Sequence, residues 1–420
     1  MTDSLWRHAD FRKLWIGQTI SELGSVVTRT AIGFVAILVL GAGPAELGIL
    51  TAAASVGTLL VGLVAGVQTD RMRRRPILIV ADLVRAALLL AIPLAYVAGW
   101  LRVELLYVVV FLAAMLGAFF DVAYRSYLPS LVGRDRIVEG NAKLGMSGAL
   151  AEVVAPALAG AIVQLVSAVA AILVDAASFL VSAISILLIR KPEPPLVPRG
   201  ERSAWSEVSE GLTTVFRDGR LRATTGFEVT RYFFGSFIGV LYVLYGLNDL
   251  GLSPFIVGVA ISLGGVGAFI GAALVGPTVR RFGIGPTIVR VGIAGGILVF
   301  LLPLAKGQPP VIAASFLFIG QLLGDTLGMI EDVAIISLRQ QVTRDELLGR
   351  VNATVHVLVD GVAPLGALVG AALAVAFGNR DTLLVAAVGV LFARAWLVFS
   401  PLGSLREADL TGSGSPSRSG

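Results

Sequence analysis

Cysteine is absent from this 420-residue chain, so it holds no disulfide and no thiolate metal site. Histidine is nearly absent. His8 and His356 stand far apart in sequence, too few for a histidine-built metal centre. No Gly-x-x-x-x-Gly-Lys-Ser/Thr stretch occurs, so the chain brings no phosphate-cradling loop for ATP. No His-Glu-x-x-His and no carboxylate pair set with a histidine is present, so an enzymatic reading finds no machinery and no cofactor or metal is expected. Charge is scarce as well. Charged residues make up 15% and hydrophobic residues 56%, where an ordinary soluble domain carries roughly 25% and about 45–50%. A soluble protein this apolar would expose more sticky surface than solubility permits, so the expected solvent is a lipid bilayer. The net charge of +5 does not point to nucleic acid, because most arginines fall in short loops between apolar runs.

What the chain does have is long apolar runs. A membrane-spanning helix takes roughly 20 residues. Candidate spans cover 14–40, 45–67, 76–98, 103–127, 140–165 and 168–189, then 222–247, 254–278, 286–305, 310–336, 351–376 and 381–402. The expected organisation is a six-helix bundle over 1–189, a linker over 190–221, a second bundle over 222–402 and a disordered tail over 403–420. Within the linker, Trp205, Val208, Leu212 and Val215 recur at helical spacing and predict a short amphipathic helix. Basic residues crowd alternate loops, from Arg7, Arg12 and Lys13 through the Arg71–Arg75 cluster to Arg280, Arg344 and Arg406. The opposite loops hold Arg102, Lys306 and Arg380. That asymmetry predicts a multi-pass plasma-membrane protein with both termini in the cytoplasm.

The loop at 66–76 reads GVQTDRMRRRP, and a weaker copy follows at a constant offset. Gly276, Arg281 and Pro286 repeat Gly66, Arg71 and Pro76 (276 − 66 = 210). At the same offset Gly57 matches Gly267, and Asp121 faces Glu331. The pattern Gly66-x-x-x-Asp70-Arg71-x-x-Arg74-Arg75 resembles the signature between the second and third helices of the major facilitator superfamily, with Arg73 where that signature has a second glycine. The resemblance implies an all-α membrane fold of twelve helices in two pseudo-symmetric six-helix bundles, with a small-molecule substrate bound between them. It also implies a cytoplasmic gate at Gly66, Asp70, Arg71 and Arg74, with Asp70 near the start of the span at 351. Asp121 and Arg125, one turn apart, are expected to join that network. The alternative is that these arginines only fix topology. Three stretches, FRKLWIGQTISELGS (11–25), RSYLPSLVGRDRIVEGNA (125–142) and DAASFLVSA (175–183), resemble one branch, the type 3 drug:proton antiporters that export macrolides and siderophores. LAEVVAPALAG (150–160) resembles the fifth-helix motif of proton-driven drug antiporters. Its Ala155, Pro156 and Gly160, together with Pro364 in the related run at 361–370, are candidate helix-bend positions.

Charges inside spans cost about 2.5–3.5 kcal/mol each at a helix centre and are functional candidates. Glu22 and Arg29 share a face of the first span, and Glu228 and Arg231 lie one turn apart in the seventh. Glu22 with Arg231 is a plausible pair across the halves. One carboxylate among Glu22, Glu152, Asp325 and Asp360 is expected to carry a coupling proton; static interhelical pairing is the competing reading. Asp82 and Arg85 are expected to snorkel towards the loop arginines. The resulting expectation is a monomeric secondary transporter that uses protons to export an amphipathic or hydrophobic small molecule. An importer or lysolipid flippase of the same fold is the nearest alternative, and a non-transporting membrane sensor is a more distant one.

Overall fold

The computed structural model describes residues 4–69, 72–193 and 204–400, with side chains at all of these except 62–69 and 204–209. The predicted tail, residues 194–203 of the linker and the gate residues Asp70 and Arg71 lie outside the described residues; Gly66 falls in the second helix. Everything described is helix, turn or coil. The long helices are α1 (Ala9–Phe34), α2 (Pro44–Thr69), α3 (Arg74–Val97), α4 (Val103–Val132), α5 (Ile137–Leu165) and α6 (Ala168–Leu187). The short α7 (Ala204–Arg217) precedes α8 (Gly219–Leu244), α9 (Pro254–Phe282), α10 (Ile284–Leu298) and the one-turn α11 (Leu301–Leu304). Then come α12 (Pro310–Val342), α13 (Asp345–Phe377), α14 (Asn379–Phe392) and α15 (Ala395–Val398). Among the described residues, twelve segments are long and apolar enough to cross a membrane. Several outrun the apolar stretches that announce them. The segment read as 351–376 begins at Asp345, because its first turn is polar and acidic residues there suit a helix start.

Contacts gather the chain into two units. One comprises 1–201, 240–262 and 367–375; the other comprises 202–239, 263–366 and 376–420. In the first, α1 packs on α5 and α6, α3 on α4 and α6, and α2 on α4. The close packing of α2 on α4 passes through Gly57, where an added Cβ would meet the Phe111 carbonyl and the Met115 amide. In the second unit Gly267 of α9 meets α12 the same way, at the Leu322 carbonyl and the Thr326 amide. The two contacts correspond at an offset of 210 or 211, so the internal repeat extends from sequence into packing.

Basic residues near the loops close helix ends. Lys13 Nζ donates to the Leu188 carbonyl at 2.8 Å, Lys191 Nζ to the Leu131 carbonyl at 2.8 Å and Arg75 Nη2 to the Leu187 carbonyl at 2.8 Å. Each supplies a donor to a carbonyl left over at the end of α4 or α6. His8 caps α1 by accepting from the Phe11 amide at Nδ1, 3.1 Å away. Burial, with Arg136 nearby, holds its pKa below the ordinary 6.5 and keeps that nitrogen available as an acceptor.

α7 covers the linker positions 205, 208, 212 and 215. Its Val215 is buried in a cluster with Leu221, Val351, Val355 and Val359. Glu210 pairs with Arg350 at 2.6 Å, and Gly211 lets the helix approach the Arg350 carbonyl and Thr354. The second half of α7 is therefore docked on α13.

Candidate functional site

Three helices of the first unit carry polar stripes at helical spacing. Gln18, Ser21, Glu22 and Ser25 share one face of α1; Asp121, Tyr124 and Arg125 share one face of α4. On α5, Asn141, Leu144, Gly145 and Gly148 do the same. These faces, with Arg85 of α3, enclose a cavity of about 400 Å³. Phe120 and Tyr124 stack in its wall with centroids 5.9 Å apart. Gly145 and Gly148 border open space: a Cβ at either would meet nothing within 4 Å. Their missing side chains are part of the cavity's volume.

Arg85 forms the floor. It is 8% exposed and bonds the fully buried Asp82 at 2.5 Å, between the rings of Phe120 and Phe179 at 4.7 and 4.2 Å. The expected snorkelling of this pair is therefore incorrect. Two aromatic faces and a carboxylate hold the guanidinium inside the bundle, and no long stem reaches the loop. Beneath α1, Asp175 is likewise buried; it accepts from Ser178 Oγ at 2.9 Å and lies against Gly24.

The candidate residues of the first half divide between a pair and an open group. Arg29 and Glu152 form an ion pair that joins α1 to α5. Glu22 and Asp121 face the cavity, and neither makes a hydrogen bond or ion pair with a described side chain. The charged groups acting on Glu22 are Arg29, Asp121, Glu152 and Arg85. Asp121 and Arg125 thus belong with Glu22 in the cavity. Of the loop residues, Arg74 is occupied by Glu193: the carboxylate accepts from the Arg74 amide at 2.7 Å and lies 3.6 Å from its guanidinium.

In the second unit, Arg231 bonds Asp332 at 2.5 Å, so its partner is on α12 and not Glu22. Glu228 pairs with Arg339 instead of with Arg231. Both pairs tie α8 to α12, and a third, Arg394 with Glu331, ties the start of α15 to α12. Asp325 accepts from Gln321 at 2.9 Å and fits against Gly264. Asp360 on α13 is exposed, with His356 and Tyr232 as its electrostatic neighbours. Asp332, Glu331, Arg339 and Arg394 had no place among the candidate residues. The offset that pairs Asp121 with Glu331 was a signal pointing to that level of α12.

The bend residues mark a close helix contact within the first unit. Gly160 lies against the Pro254 carbonyl and Phe255, and Gly258 against the Pro156 carbonyl and Gly160. The Ala157 amide donates to Ser262 Oγ at 2.9 Å. Ala155 and Pro156 are buried. In the second unit Gly366, two residues past the buried Pro364, lies against the Phe233 carbonyl and Ser236.

Residues 14–364 match the model of the Major Facilitator Superfamily. A protein of Sinorhizobium fredii (strain NBRC 101917 / NGR234), named an uncharacterized MFS-type transporter, y4rN, is 26% identical over 398 residues, covering 92% of this chain and 94% of its own. Among solved structures, the nucleoside transporter NupG superposes with a TM-score of 0.76 at 13% identity, over 94% of this chain and 100% of that one. A bacterial homologue of the iron transporter ferroportin, in an inward-facing state, superposes with 0.71 at 18% identity, over 96% and 100%. With twelve spans, a repeated half and a polar cavity set among apolar helices, this chain belongs to the major facilitator superfamily and is a membrane transporter of that type.

Proposed function

We propose that the chain is a proton-coupled exporter of an amphipathic small molecule, and that Glu22 and Asp121 share the coupling proton. One observation carries this reading: two carboxylates that bond no described side chain line a 400 Å³ cavity, while most other acids within the spans are committed and Asp360, also unbonded, lies outside that cavity. Glu152, Asp82, Glu228, Glu331 and Asp332 each hold an arginine, and Asp325 and Asp175 accept from side-chain amide and hydroxyl groups. A carboxylate that faces a solvated cavity without a fixed counterion can exchange its proton with substrate or bulk water. A membrane potential supplies roughly 2.3 kcal/mol per charge per 100 mV, enough for about a fifty-fold gradient per proton. The type 3 antiporter resemblance supports the outward direction. The plasma membrane, cytoplasmic termini, a monomeric state and a gate at Gly66, Asp70, Arg71 and Arg74 belong to the same reading.

The lining also favours a second reading, uptake of a hydrogen-bonding solute. Gln18, Glu22, Asp121, Tyr124 and Asn141 offer more polar contacts than an apolar drug requires. NupG is named a nucleoside transporter, so nucleosides belong in the compound panel. The deciding experiment is substrate-dependent proton flux in proteoliposomes, with the gradient imposed in either direction. Export coupling predicts proton entry against substrate exit, lost in E22Q and D121N. Flux of substrate with protons in the same direction supports uptake. No proton movement across the panel removes both readings.

A further inference from the structure

The junction of α7 and α8 carries Arg217, Arg220 and Arg222 within six residues. Asp218 neutralises Arg220 at 3.0 Å. Arg222 is exposed; its Nη1 donates to the Phe216 carbonyl at 3.3 Å, and it meets no carboxylate among the described side chains. Beside it opens a cavity of about 490 Å³. Gly219, Arg222 and Ala223 form one wall, and Phe392, Trp396 and Phe399 form the other. Trp396 is fixed in place, because its Nε1 donates to Thr230 Oγ1 at 3.2 Å and its ring fills the space beside Gly226. Phe392 and Phe399 are 66% and 89% exposed. Rings that open suit hydrocarbon, not water, and a tryptophan held at a span end suits the membrane interface.

We propose that this groove binds an anionic phospholipid, with its phosphate on Arg222 and an acyl chain along Phe392 and Phe399. The division of the walls specifies the ligand. A planar guanidinium with free donors matches two phosphate oxygens at once. The aromatic wall continues from the groove onto the apolar flank of α14, which a soluble anion would not use. Basic pockets between helices at one membrane face are suited to acidic headgroups. The surplus charge of Arg217 and Arg222 disfavours a zwitterionic lipid, whose own cation would lie close to them.

The test is native mass spectrometry of the full chain in mild detergent, titrated with phosphatidylglycerol and with phosphatidylcholine of the same acyl composition. Wild type is expected to retain phosphatidylglycerol preferentially. R222Q should weaken that retention about fivefold and leave phosphatidylcholine unchanged. G219W, whose Cβ would meet nothing within 4 Å on the groove wall, should block both lipids without lowering thermal stability. Equal retention of the two lipids by wild type, or unchanged phosphatidylglycerol affinity in R222Q, overturns the proposal. Competition by inorganic phosphate at equal strength would make this a soluble-anion site and also overturn it. A chain ended after Ser400 should bind as the full chain does; lipid binding gained only on that truncation would name the tail as occupant and overturn the proposal.

Discussion

Arg394 lies 3.3 Å from the carboxylate of Glu331, and both side chains are sealed, at 5% and 1% exposure. Gly292 of α10 makes room for the pair: a Cβ there would collide with Glu331 Oε1. Removing one partner strands a buried charge, which costs about 3–5 kcal/mol. Glu331→Leu should therefore lower the melting temperature in detergent sharply, and Gly292→Ala should do so in part. Adding Arg394→Met to Glu331→Leu should recover most of the loss. Failure of the double substitution to recover would show that the arginine's bonds to the Gly292 and Val390 carbonyls matter more than its charge.

Transport should depend on the cavity acids and not on the paired ones. Glu22→Gln or Asp121→Asn should reduce proton-driven transport to the level of empty vesicles, with binding of substrate retained. Gly148→Leu, whose Cβ would meet nothing within 4 Å, should abolish substrate binding with little change in stability. Binding and flux measured on the same proteoliposome preparations separate the two outcomes.

Gly267 and Gly324 sort packing from propensity. A methyl at Gly267 meets the Leu322 backbone, which cannot move aside, so Gly267→Ala should cost about 1–3 kcal/mol. Gly324 borders open space, and Gly324→Ala should be neutral or gain up to about 1 kcal/mol of helix propensity. Parallel thermal melts check the order, and Gly57→Ala should behave like Gly267→Ala.

Asp218 supplies a pH dependence. It caps α8, its Oδ1 accepting from the Arg220 amide at 2.8 Å and the Leu221 amide at 3.3 Å. Burial pushes its carboxyl up, but the bonds from the Arg220 side chain and these amides prevail and hold the pKa below 3.8. A depressed folded pKa means that the stabilisation is complete above the unfolded value, near pH 4, and fades as pH falls through the folded value. Asp218→Ala should lose about 1 kcal/mol at neutral pH, and the gap to wild type should close in acid. Melting curves at neutral and acid pH test the sign.

The span count and the repeat were legible in the sequence, because apolar length acts locally and the matched glycines and arginines keep a constant offset. The polar face of α1 follows from helical spacing, since residues 18, 21, 22 and 25 share a face in any straight helix, but of these only Glu22 was singled out, because a charge inside a span stands out where neutral polar residues do not. Pairing was not legible. Whether Arg231 meets Glu22 or Asp332 depends on the rotation and depth of three helices, and spacing along one chain carries neither. Arg85 shows the same limit, since its two aromatic neighbours come from α4 and α6. The gate at Asp70 and Arg71 was read from a motif and lies outside the described residues.

Gly160 and Gly258 leave α5 and α9 touching as bare backbones. Interlocked side chains act as ratchet teeth, and one helix can advance past another only after the teeth disengage. A smooth bearing has nothing to disengage. Motion along this seam would need no side chain at these two positions to be withdrawn. A single methyl at either glycine would act as a brake, slowing turnover before it affected what the transporter recognises.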